Sequence, residues 1–109
     1  MVYIDPLRAC QRSKRWPFPT SCHLFAETDE ELFAFARRLG LKMDWFRAGK
    51  RLRHFDLTAG MRIKALRMGA REVELGFVAA FMKRNTKPYS YDYHEPVQRL
   101  FWKHGGGRA

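Results

Sequence analysis

The stretch from Thr28 to Gly40 constrains this chain more than any other, because it carries both ends of a helix within thirteen residues. Thr28 stands at an N-cap with Glu31 three residues on, so hydroxyl and carboxylate can each satisfy an exposed donor, and Asp29, Glu30 and Glu31 suit the positive end of the helix dipole. Leu32, Phe35, Ala36 and Leu39 follow at helical spacing, Arg37 and Arg38 occupy the last turn, and Gly40 suits the residue past the end. Helix-start chemistry accounts for the cluster of Glu27, Asp29, Glu30 and Glu31 without a metal. An apolar stripe this definite must lie on another layer.

The rest of the chain supplies that layer. Val2-Tyr3-Ile4 is a β-rich run stopped by Asp5-Pro6, residues 7 to 21 read as a long loop, and Cys22 to Ala26 as a second strand. Leu52 to Leu57 predicts another strand. Thr58 caps a second helix running to Met68, with Ile63, Leu66 and Ala70 inward, Lys64 and Arg67 outward, and Gly69 ending it. Arg71 to Leu75 alternates at period two, and Phe77 to Arg84 predicts a short amphipathic helix. The order β-β-α-β-α-β-α makes residues 1–84 a small α/β domain, a sheet of about four short strands under two to four helices. From Asn85 the composition changes, with Pro88, Tyr89, Tyr91, Tyr93, His94 and Pro96 before Val97, Leu100 and Phe101. Residues 85–109 therefore read as a Tyr-rich extension, with a short terminal helix, packed on the core.

Length and apolar content allow one domain with one core: 109 residues, 46% of them hydrophobic. No run approaches the roughly 20 apolar residues of a spanning helix, and the first residues lack the order of a signal peptide. The expectation is a protein of the cytoplasm, or of a host's cytoplasm if phage-encoded, with no membrane partner. Cys10 and Cys22 then read as free thiols, since their spacing with His23 lacks the paired ligands of a structural zinc module.

Twenty-one Lys and Arg against eleven Asp and Glu leave a formal charge of +10, which favours a polyanionic partner. Between Arg37 and Arg53 there are seven cations and one acid, Asp44. Arg12, Lys14 and Arg15, with Trp16 and Phe18 beside them, then Arg47, Lys50, Arg51 and Arg53, then Lys64 and Arg67, form a basic and aromatic set. Cations suit phosphates and rings stack on unpaired bases, so DNA, RNA or a nucleoprotein is the expected partner. An acidic protein surface, such as a host complex bound through the Tyr-rich segment, is the other partner considered.

A catalytic alternative rests on four residues. Asp5 ends the first strand and His54 and Asp56 lie near the end of a later one; if those strands are parallel neighbours, the groups converge at the carboxyl edge of the sheet. With His23, they could hold a divalent ion and activate water for phosphodiester hydrolysis, making the chain a metal-dependent nuclease. Otherwise Asp5 and Asp56 serve as caps and hydrogen-bond partners. No Gly-rich phosphate loop and no Gly-x-Ser-x-Gly elbow is present, and Cys22 and His23, being adjacent on a strand, point to opposite faces.

Several landmarks together resemble a family of small bacterial and phage proteins classed only as a domain of unknown function. They are Val2-Tyr3-Ile4-Asp5-Pro6, Trp16-Pro17, His23-Leu24, Glu27-Thr28, Glu31 to Ala36, Gly40, His54-Phe55-Asp56, Arg62 and Gly69-Ala70. The pattern usually has Asp at the place of Glu27, His at Phe33 and Tyr at Phe55. The resemblance covers Val2 to about Val73. It implies candidate positions and no mechanism, and Phe33 replaces a residue that could have been reactive.

Overall fold

The computed structural model describes residues 1–49 and 51–84. Lys50 and the whole Tyr-rich segment, with its expected terminal helix, lie outside the described residues. Six strands and three helices run in the order β1 (Val2–Ile4), β2 (Arg8–Ala9), β3 (Thr20–Ala26), α1 (Asp29–Leu39), β4 (Phe46–Ala48), β5 (Arg53–Leu57), α2 (Ala59–Arg67), β6 (Arg71–Glu72) and α3 (Leu75–Arg84). The sheet order is β4-β5-β3-β1-β6, with β2 also paired to β3. The α/β architecture is the expected one, enlarged by two strands.

Both helix starts read from the sequence are present. The Thr28 hydroxyl accepts from the Glu31 backbone N–H at 3.2 Å and donates to the Glu31 carboxylate at 3.1 Å. At the other end Gly40 adopts φ 95°, a left-handed conformation, and both Gly40 and Leu41 donate to the Ala36 carbonyl. Thr58 caps α2 in the same way, accepting from Met61 at 3.2 Å. Replacing Thr28 by Ala should lower stability by about 1 kcal/mol; an unchanged urea midpoint would show that the hydroxyl contributes nothing.

Leu24 and Phe25 are adjacent in β3 and both fully buried, so the middle of the sheet is covered on both faces. On one face Ile4, Cys22, Leu24, Phe55 and Leu57 pack against Leu32, Phe35, Ala36 and Leu39 of α1 and Ala65 of α2. On the other, Tyr3 and Phe25 meet Val78 and Phe81 of α3, with Leu52 and Val73. Phe33 lies in the first of these layers, edge-on to Phe46 at 4.9 Å between ring centroids. The position where the resembling family carries His is thus on the helix side of the sheet.

Three expectations change, and one further segment gains structure that had no assignment. The loop at 7–21 is a hairpin: β2 pairs with the start of β3, Arg8 opposite Ser21 and Ala9 opposite Thr20. Around Met43–Trp45 the chain makes a single 3-10 turn and then enters β4, whose three residues are too few to show alternation. In α2, Ile63 is exposed and Ala65 is fully buried, because the inward stripe runs through Met61, Ala65 and Met68, with Arg62 and Leu66 beside it. A small residue and an arginine at inward positions disguise the helical period. Finally, only Arg71–Glu72 of the 71–75 segment pairs, parallel to β1, and one further bond from Val73 to Ile4 precedes α3.

Candidate metal centre

β1 and β5 both run antiparallel to β3, so they point the same way, but they are not neighbours. The convergence expected of adjacent parallel strands is achieved through β3, which lies between them and contributes His23. Directly opposite residues in a ladder share a face. Asp56 faces His23 and His54 faces Phe25 across the β3–β5 ladder, while Arg47 of β4 faces His54. Alternation places His23, His54, Asp56 and Arg47 on the same face as Phe25 and Tyr3, beyond the part that α3 covers.

The His54 and His23 rings meet edge to face, 4.6 Å between centroids. One oxygen of Asp56, Oδ1, lies 3.4 Å from His54 Nε2 and 3.7 Å from His23 Nε2. One ligand atom from each of the three residues falls within 4.8 Å of the others. Two ligands on a tetrahedral ion at about 2.1 Å are separated by about 3.4 Å, close to the two spacings that Asp56 Oδ1 makes with the imidazoles. All three residues are partly exposed, which leaves the outward position open to water or substrate.

The back of each imidazole is fixed. His54 Nδ1 lies 2.9 Å from the Leu52 carbonyl, an acceptor only, so that nitrogen carries a proton and Nε2 is turned toward Asp56. Asp5 does the same for His23 with more force. Its Oδ2 is 2.8 Å from Nδ1 and its Oδ1 accepts from the His23 backbone N–H at 2.6 Å, in the gap between β1 and β2 where a ladder bond would otherwise stand. Asp5 is 1% exposed. The sequence sets Asp5 beside His23, His54 and Asp56 as one group; the structure puts it behind His23, in the same relation as a carboxylate that orients a metal-binding ring.

Positive groups surround Asp56 and keep it ionised. Burial opposes ionisation of Asp56, but the His54 hydrogen bond and the charges of His54, His23 and Arg47 outweigh it and hold the carboxyl below its ordinary value. Burial, reinforced by Asp5, pushes the Cys22 thiol up to about 12, and its side chain faces the helix layer. Cys22 is therefore neither nucleophile nor ligand here.

The expected cations fall in different places. Arg47 Nε lies 3.7 Å from Asp56 Oδ2, at the rim of the cluster. Arg53, six residues on, projects from the other face, paired to Asp29 at 2.8 Å and lying over the Phe46 ring. Lys64 donates to the Leu39 carbonyl at the end of α1, so Lys64 and Arg67 of α2 belong to the helix layer on the far side from Arg47. Arg51 is exposed in the turn before β5, and Arg12, Lys14 and Arg15 are exposed along the β2–β3 hairpin. The described members of the expected basic set thus lie on more than one surface.

Two residues at the centre escaped the sequence reading as site residues. Arg8 brings Nη2 to 3.3 Å from His23 Nδ1 and 3.5 Å from Nε2, against the edge of the ring. It went unrecognised because β2 is only two exposed residues long. Arg62 donates from Nε to the Asp5 carbonyl at 3.1 Å and from Nη2 to Glu72 at 2.7 Å, tying α2 and β6 to the end of β1. Its presence among the residues of the family resemblance was the available signal.

Residues 2–85 match the model of a family described as a protein of unknown function, DUF4031. No curated protein and no solved structure matches the chain. No helix among the described residues is long and apolar enough to cross a membrane.

Proposed function

The chain belongs to the DUF4031 family, and we propose that His23, His54 and Asp56 bind one divalent transition-metal ion and hydrolyse a phosphodiester there. The observation that carries this reading is the pair of imidazoles fixed from behind at Nδ1, both presenting Nε2 to a single carboxylate oxygen. Two nitrogens and one oxygen suit Zn²⁺, Mn²⁺ or another first-row ion better than Mg²⁺ or Ca²⁺, which prefer oxygen ligands. Three protein ligands with an open fourth position are the pattern of catalytic sites.

An ion so held lowers the pKa of its water to about 7 and supplies hydroxide at neutral pH. Hydroxide attacks phosphorus, the bond to the leaving oxygen breaks, and that oxygen takes up a proton. One water is consumed, and a phosphomonoester and an alcohol result. Arg8 and Arg47 flank the ion from β2 and β4, where their guanidinium groups can pair with the non-bridging oxygens, on which charge accumulates. His23 and His54 act as ligands in this scheme, and Asp5 as the positioning residue behind His23.

Calorimetric titration with Zn²⁺ and with Mn²⁺ should show one saturable site per chain, absent in a His54→Ala, Asp56→Ala double variant. Hydrolysis of bis(p-nitrophenyl) phosphate should need the added ion and stop with chelator. A parent protein that binds neither ion would end this reading.

A further inference from the structure

The β2–β3 hairpin is a built arm rather than a loose loop. Its turn is closed by Ser13 N–H to the Trp16 carbonyl at 2.9 Å and by Trp16 N–H to the Ser13 hydroxyl at 3.1 Å. Lower down, Cys10 N–H donates to Pro19 at 2.9 Å, and the Trp16 indole N–H donates to the Thr20 carbonyl at 3.0 Å. That last bond turns the indole back along the arm, where it meets Phe18 edge to face at 5.1 Å. Phe18 remains 42% exposed. From Leu7 to Ala26 the chain has no Asp or Glu, while Arg8, Arg12, Lys14 and Arg15 are all exposed.

Two features make this arm more than a solvated loop. Phe18 stands exposed beside a half-buried Trp16 whose indole is fixed to the Thr20 carbonyl, an aromatic surface that packing inside the core does not account for. The arm is also continuous with the metal centre: Arg8 at its base lies against His23, and β3 carries both Thr20, which holds Trp16, and His23 itself. The arm and the proposed ion site thus meet at Arg8 and share β3.

We infer that the arm binds single-stranded nucleic acid, with bases against Phe18 and Trp16, phosphates on Arg12, Lys14 and Arg15, and the next phosphate delivered to Arg8 and Arg47 at the ion. Single strands are favoured because a ring stacks on an unpaired base, and a duplex offers such faces only at its ends. This rests on the proposed phosphodiester chemistry for its consequence, but its test does not need the metal.

The test is fluorescence anisotropy with a labelled single-stranded oligonucleotide in chelator, at several salt concentrations. The parent should bind. Arg12→Ser, Lys14→Ser and Arg15→Ser together should reduce the log–log salt slope by about 2, near 0.7 for each lost phosphate contact. Phe18→Ala should weaken binding roughly tenfold with the slope unchanged, since it removes stacking and no charge. Phe18→Tyr should restore binding, which separates stacking from any loss of fold in the alanine variant. No binding by the parent, equal binding of a blunt duplex, or an unchanged slope in the triple variant would each overturn the inference. With the ion present, the triple variant should still hydrolyse bis(p-nitrophenyl) phosphate, which bypasses the arm. Failure of the parent protein to hydrolyse that substrate, with its oligonucleotide binding intact, would count against the metal centre and leave the arm standing.

Discussion

Changing Asp5 to Asn is expected to weaken Zn²⁺ or Mn²⁺ binding 10- to 100-fold with the three ligand residues untouched, as for other residues that hold a ligating histidine from behind. Both carboxylate oxygens of Asp5 are engaged by donors, the His23 backbone N–H and His23 Nδ1. An amide of the same shape has one oxygen and one NH₂. Whichever way it is turned, one N–H faces a donor. If the NH₂ faces Nδ1, the imidazole proton moves to Nε2, the atom that must be free to ligate. If it faces the backbone, the ring keeps its tautomer but the main chain at His23 is pushed out of register with Asp5. Calorimetric titration of the variant, with circular dichroism to establish that it folds, gives the result. An affinity equal to the parent's would show that Asp5 is a structural carboxylate with no bearing on the ion.

What the sequence made legible here was whatever could be written within one short segment. The helix from Asp29 to Leu39 has its cap, stripe and stop within thirteen residues, and all three appear where they were expected. His54 and Asp56, two apart on a strand, had to share a face. What the sequence hid was the pairing between segments. β2 and β4 are two and three residues long, and their existence depends on β3 and β5 lying beside them, so no local period marks them.

The role of Asp5 was hidden for a chemical reason. A carboxylate that ligates an ion and one that steadies the ligand occupy similar places in a sequence, and only the 1% exposure and the bond to His23 Nδ1 tell them apart. Charge misled in a comparable way. Arg47 and Arg53 sit in one basic run, yet Arg47 pairs across to His54 and Arg53 to Ala48, adjacent rungs whose side chains leave opposite faces. A run of like charge along a hairpin is split between two surfaces by the pleat. One of these arginines reaches Asp56 beside the two histidines and the other steadies the start of α1.

The same pleat gives two adjacent residues of β5 opposite consequences on mutation. Phe55→Ala should cost about 3 to 5 kcal/mol, the range for truncating a buried phenylalanine, out of the roughly 5 to 15 kcal/mol available to a domain of this kind. Phe55 is fully buried, 5.5 Å from the Phe46 ring and 6.3 Å from Phe33, and opposite Leu24 of β3, so its removal opens a cavity between sheet and α1 that rigid strands cannot close. His54→Ala, one residue earlier, removes a half-buried ring and one hydrogen bond to the Leu52 carbonyl, and should cost no more than about 1.5 kcal/mol. Urea denaturation of the two variants compares them directly: the midpoint should fall steeply for Phe55→Ala and little for His54→Ala, with the denaturant slope unchanged in both. Metal binding by the folded fraction should show the reverse order. A large stability loss in His54→Ala would mean that the imidazole is held for packing, whereas a small one fits a ring kept for a ligand on a sheet face that α3 leaves partly exposed.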